Sequence, residues 1–245
     1  MPLFAGRGVA ALTGISAAEW REVRAAFPRL PRGCGGLAAA RRLLLARLAA
    51  RKLASGRWRA QLEGAPPSPR PTVYVSAHLG SLQALRYTLR ARRVPAATVL
   101  GPYNLDRPAA ERQDRLFDEH HPLDFPHVFP ATRAHRLRSA LATGSLILAA
   151  DLPATGDVEI PFLGGSLRLD RRPFRLARTV GVPCRPAFLT LPAGRWTLTL
   201  GDPLPAGEAA ALEAYAHCLT EVARRSPLDL DGTVYLNLAR RRTPG

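Results

Sequence analysis

At 245 residues, 47% of them apolar, the chain is long and apolar enough to bury a sizeable core, which excludes a disordered or fibrous class. Charge is lopsided, 35 Lys+Arg against 19 Asp+Glu for a net +16, with Lys52 the sole lysine. That excess predicts attraction to something anionic: phospholipid headgroups, an acidic carrier protein, a phosphorylated substrate or nucleic acid.

The opening MPLFAGRGVAALTGISAAEW is faintly like a signal peptide. Its apolar part is short, broken by Gly and Thr and without a convincing cleavage site, so it reads as mature sequence. Residues 37–62 are rich in Ala, Leu and Arg and should be helical. They carry seven basic residues and no acid (Arg41, Arg42, Arg47, Arg51, Lys52, Arg57 and Arg59), which fits either a solvated face or a surface resting on anionic lipid. The run APPSPRP at 65–71 supports neither helix nor central strand and reads as a linker. Two regions follow: a basic, N-terminal helical region over 1–64 and an α/β domain over 65–245.

From the linker onward strand and helix patterns alternate. TVYVSA is a strand, followed by the helix SLQALRYTLRARR with Ser81 as its N-cap. AATVLG is a short strand, and RPAAERQDRLFDEH is a helix opened by Pro108. HVF is a short strand, TRAHRLRSALATG a helix closed by Gly144, and SLILAADL a buried strand. RRPFRLARTVG is a helix ending at Gly181, and PCRPAFLTL with RWTLTLG a hairpin about residues 192–194. EAAALEAYAHCLTEVARR is a helix with an apolar face, and TVYLNLARRR closes the pattern. The alternation predicts an α/β fold, a mostly parallel central sheet flanked by helices with one antiparallel excursion.

Cys34, Cys184 and Cys218 are far apart and odd in number, which argues against a disulfide framework or zinc site and for a reducing cytoplasm. No apolar stretch of 18 residues occurs, so no transmembrane helix is expected. Chemistry in such sheets collects where strands end and helices begin. His78 sits at one such junction, beside Gly80, whose missing side chain permits close backbone approach, and Asp151 sits at another. A lone histidine at a strand end is compatible with a structural role as well as a functional one. HHPLD at 120–124 reads as a loop, and no nucleophile elbow, Walker A loop or dinucleotide fingerprint is present. Nucleic-acid binding has only charge to support it and is not expected.

Four blocks in order carry a family resemblance. VYVSAHLGSLQ, LRSALATGSLILAADLPATGDVEIPFLGG, RPFRLARTVGVPCRPAFL and SPLDLDGTVYLN together resemble the bacterial lipid A late acyltransferases and, more widely, the glycerolipid-type HX4D/E acyltransferases, over about 63 to 230. Three departures stand out. Where relatives begin with a membrane helix, this chain has the basic 37–62 region, and Gln83 stands where the family keeps its acid. Asp151-Leu152 likewise replaces the usual Asp-Gln.

The resemblance implies acyl transfer from an acyl carrier protein or coenzyme A thioester to a hydroxyl or amine, with no cofactor and no metal. It makes His78 the general base, Gln83 its orienting partner and Asp151 an auxiliary residue. An amide fixes the ring but brings no charge to offset an imidazolium, so Asp151 or Asp106 could replace the missing acid, the acceptor could need less help, or catalysis could be lost. In that last case the chain would be an inactive partner subunit that binds acyl chains or acyl carrier protein. Backbone N–H groups at the helix start would cradle the oxyanion, Gly80 and Ser81 would bind substrate, and Arg107, Arg112 and Arg133, with Arg115 nearby, would meet a phosphate or headgroup unless they form a solvated face. Leu79, Leu82 and Phe162 could line an acyl channel or simply pack. The expected location is cytoplasmic and peripheral, on the inner face of the plasma membrane.

Overall fold

The structure, a computed structural model, describes residues 16–30, 52–53, 57–100, 128–130, 134–151, 156–230, 235–236 and 239. Its frame is a seven-stranded sheet in the order β1-β9-β8-β2-β5-β3-β4. The strands are β1 (Gln61–Gly64), β2 (Val73–Ser76), β3 (Ala96–Leu100), β4 (Val128–Pro130), β5 (Ser145–Ala149), β8 (Cys184–Thr190) and β9 (Thr197–Leu200). β8, β2, β5, β3 and β4 are mutually parallel, β9 turns back antiparallel to β8, and β1 runs parallel to β9. The fold is therefore α/β with a mostly parallel sheet.

The central strands are covered on both faces, which is why VYVS and SLIL read as unbroken apolar or small runs rather than alternating ones. Val73 and Val75 face one core and Tyr74 the other. The first core is closed by α1 (Ala17–Ala26), α3 (Ala134–Thr143), α4 (Arg172–Val180) and α5 (Glu208–Arg225). The second is closed by α2 (Leu82–Arg90), which lies over β3 and β8 through Leu85 and Leu89.

Local chemistry sets the ends of these elements. Ser16 caps α1 through a reciprocal pair with Glu19, and the Ser81 hydroxyl accepts the Ala84 N–H at the start of α2. α4 opens with a proline in its first turn and stops at Gly181, whose φ of 75° suits the left-handed cap. The β8–β9 hairpin turns at Pro192–Gly194, as expected.

One expectation needs correction, and one element was not foreseen. The helix expected to run to Leu62 has given way by Gln61, where β1 begins as the edge strand of the sheet, its N–H groups and carbonyls recruited by β9. The segment VEIPFLGGSLRL, to which the sequence pattern assigned no element, forms β6 (Val158–Phe162) and β7 (Gly165–Leu169), an antiparallel pair. Its two-residue turn takes φ of 46° at Leu163 and 81° at Gly164, the backbone twist that matches flanking strands. Residues on both sides of 64/65 share one core: Trp20, Val23 and Phe27 of the N-terminal helix region are buried with Phe162 and Tyr235. The expected helix over 107–120, most of 37–62, and the motif at 120–124 lie outside the described residues.

Candidate active site

β2 and β5 are adjacent and parallel, with Ser76 opposite Ala149. The ladder continues one step, the Ala150 N–H donating to the Ser76 carbonyl at 2.9 Å. Two residues past each strand stand His78 and Asp151, so the same register that pairs the strands brings these side chains together. The His78 Nδ1 lies 2.9 Å from Asp151 Oδ1, and the His78 backbone N–H donates to both carboxylate oxygens at 3.0 and 2.8 Å.

Asp151 is 0% exposed, and a buried carboxylate is tolerated only when donors surround it. Held by the His78 N–H, it acts as an acceptor toward the ring and fixes the hydrogen on Nδ1. The Nε2 lone pair then points away from the acid, and the imidazole is the part of the pair that solvent reaches, at 19% exposure. That is the arrangement of a general base with an orienting acid.

The surroundings lock both strand ends. The Tyr215 hydroxyl of α5 donates to the Ser76 carbonyl at 2.6 Å, and burial, with the Asp151 charge adding to it, holds that phenol well above its ordinary range. It stays a donor at any physiological pH. The Asp170 N–H at the end of β7 donates to the Ala150 carbonyl at 2.7 Å, and its carboxylate accepts the Arg172 Nε at 2.8 and 2.9 Å. The new hairpin is thus tied to the strand that delivers Asp151.

The loop after His78 is built for close packing. Gly80 has φ of 80°, and a Cβ there would stand 1.9 Å from the Leu189 carbonyl oxygen. Its N–H donates to the Asp229 carbonyl at 2.8 Å, and the Ser81 N–H to the Leu189 carbonyl at 3.0 Å. Both N–H groups are thus engaged by the protein. Asp229 also accepts the Leu191 N–H on its carboxylate at 2.7 Å, so the 226–230 segment clamps this loop against β8.

Among the sequence-predicted residues, His78 and Asp151 meet, and Gly80 and Ser81 shape the turn between β2 and α2. The His78 Nδ1 is held by Asp151, the carboxylate named with Asp106 as a replacement for the missing acid. The Gln83 side chain, and Asp106, Arg107, Arg112, Arg115 and Arg133, lie outside the described residues. Leu79 and Phe162 are buried core side chains, Phe162 packing against Phe27 and Tyr235, while Leu82 is half-buried against the second core. Tyr215, Asp170 and Asp229 were missed. Asp151, by contrast, was named from the sequence, because it ends the apolar run SLILAA as His78 ends VYVSA.

Among the described residues no cluster of three His, Cys, Asp or Glu could hold a metal ion, and no helix is long and apolar enough to cross a membrane. No family model and no curated protein matches the chain. Among solved structures it is similar to the crystal structure of the 1-acyl-sn-glycerophosphate (LPA) acyltransferase PlsC from Thermotoga maritima. Identity is 16%, the match covers 90% of this chain and 95% of that one, and the TM-score is 0.42. A likeness at that level establishes neither fold nor activity; the fold stands on the strand pairings above.

Proposed function

We propose that the chain is an acyltransferase that moves an acyl group from an acyl carrier protein or coenzyme A thioester to a hydroxyl or amine, with His78 as general base and Asp151 as its orienting acid. The observation that carries this is the 2.9 Å His78–Asp151 pair at the ends of adjacent parallel strands. The four sequence blocks that resemble the HX4D/E acyltransferases supply the reaction class. The pair supplies the charge that Gln83 lacks.

In the proposed step, Nε2 takes the acceptor's proton as its oxygen bonds to the thioester carbonyl carbon. Asp151 stabilises the imidazolium that forms, and the N-terminal end of α2, which begins four residues after His78, favours the negative charge on the carbonyl oxygen. Collapse breaks the carbon–sulfur bond, and Nε2 returns the proton to the leaving thiolate. Arg107, Arg112 and Arg133 remain the proposed contacts for a phosphate or headgroup.

The test is release of free thiol from acyl carrier protein and coenzyme A donors with a panel of hydroxyl and amine acceptors. Wild type should turn over, and His78→Ala should lose activity by about 10³-fold or more. Unchanged turnover in His78→Ala overturns the assignment. Acyl-carrier binding without turnover by wild type would instead favour the inactive partner-subunit reading.

A further inference from the structure

We infer that the end of the sheet that carries His78 docks on an anionic lipid surface through Trp58 and the basic residues around it. Trp58 is 45% exposed and is the one large apolar side chain described as exposed. Exposed Arg57 and Arg59 flank it in sequence, the Lys52 ammonium lies 4.6 Å from its ring centre, and 51–62 contains no acid. An amphipathic ring among arginines is the composition that settles at a headgroup boundary, the indole entering the acyl edge while the cations meet phosphate.

The topology decides which way this patch points. Thr190, at the end of β8, pairs with Thr197, at the start of β9, and Thr197 pairs with Gln61, at the start of β1. Gly80 bridges Leu189, so the start of β1 lies at the His78 end of the sheet. Trp58 precedes Gln61 by three residues, and the Gln61 N–H donates to the Trp196 carbonyl at 2.8 Å. That contact sets exposed Arg195 beside the same patch. Three strand spacings separate β1 from β2, roughly 14 Å, so the patch and the His78 ring share one end of the molecule. This surface goes beyond the acyl-transfer reading and does not depend on it, because binding is measured without turnover.

The experiment uses the full chain with vesicles of phosphatidylcholine alone and of phosphatidylcholine mixed with phosphatidylglycerol. The chain has three tryptophans, and Trp20 and Trp196 are buried, so the solvent-sensitive emission belongs to Trp58. Anionic vesicles should bind the protein, shift its emission to the blue and quench it when their acyl chains are brominated. Trp58→Ala should weaken binding to the anionic vesicles several-fold, and in Trp58→Phe the remaining emission, from the two buried tryptophans, should neither shift nor be quenched. Arg57→Glu with Arg59→Glu should weaken binding by about 25-fold or more, taking roughly fivefold for each basic residue near the surface. In a Trp58→Phe background, Arg70→Trp places the reporter at the opposite end of the sheet, where no quenching is expected.

Equal binding to neutral and anionic vesicles overturns the inference, as does wild-type emission that brominated lipid leaves unchanged. Quenching at position 70 equal to that at Trp58 overturns the orientation. Preference for duplex DNA or for free acyl carrier protein over anionic vesicles assigns the patch to another partner and overturns it too. Vesicle binding that survives in a His78→Ala protein devoid of turnover separates this surface from the acyl-transfer proposal.

Discussion

At the scale of single residues, the chemistry turns on which group holds the His78 ring. Asp151→Asn keeps the shape but allows the amide to present either its oxygen or its NH₂ to Nδ1, and it removes the charge. We expect kcat to fall by about 10⁴ with KM little changed, as for other His–Asp pairs, when thioester consumption is followed at steady state. Gln83→Glu should leave the rate within a few-fold, because Nδ1 is already spoken for; a large gain would return the acid's role to position 83. Tyr215→Phe removes a buried hydrogen bond from the Ser76 carbonyl while leaving that carbonyl the Ala150 N–H. The cost should be about 1 kcal/mol, read as a lower denaturant midpoint at constant slope. Cys184, whose thiol burial pushes up to about 12, should resist alkylation until the protein unfolds.

At the scale of elements, the turn between β2 and α2 and the seam between α4 and α5 set how firmly the site is held. Gly80→Ala would drive a methyl into the Leu189 carbonyl and force a non-glycine residue to a φ of 80°. The left-handed strain alone costs about 1–3 kcal/mol, and the clash adds to it, so this variant should melt well below wild type. On the other seam, Glu208 at the start of α5 faces Arg171, Arg175 and Arg178 from α4 and its entry. The hydrogen bond from Arg175 chiefly, with the neighbouring charges, holds the Glu208 carboxyl below its ordinary range. A depressed carboxyl contributes stability that is whole above the ordinary glutamate range and is lost as pH falls through the depressed value. Glu208→Gln should therefore melt lower than wild type near neutrality, and the gap should close in acid. A gap that stays constant with pH would mean the pair contributes nothing through charge.

At the scale of the whole molecule, the N-terminal segment belongs to the same body as the sheet. Trp20, Val23 and Phe27 fill the first core, and β1 covers β9 by a parallel ladder. A fragment limited to 65–245 would expose Phe162 and Tyr235 to water and leave β9 as a bare edge. It should show a broad thermal transition or none by circular dichroism, where the full chain melts cooperatively. A sharp transition in the fragment would restore the division at 64/65 as a true domain boundary.

The order and type of most elements were legible because hydrophobic period, caps and breakers act within a few residues. VYVS and SLIL could be recognised as buried strands, Ser81 as a cap, Gly181 as a stop, and the α5 stripe as a helix face, all from local spacing. The short edge strand QLEG was hidden by the helix-forming composition before it, and the β6–β7 hairpin by a leucine in a turn position that favours Asn or Gly. His78 was found by its place at a strand end. Its partner was not fixed, because a ladder between residues 73 apart leaves no local trace. The amino-acid sequence by itself determined where strands end and polar residues begin. Only the tertiary structure decided that β2 lies beside β5 in a register placing Asp151 against His78, since strand pairing is a long-range choice made by burial of both sheet faces at once.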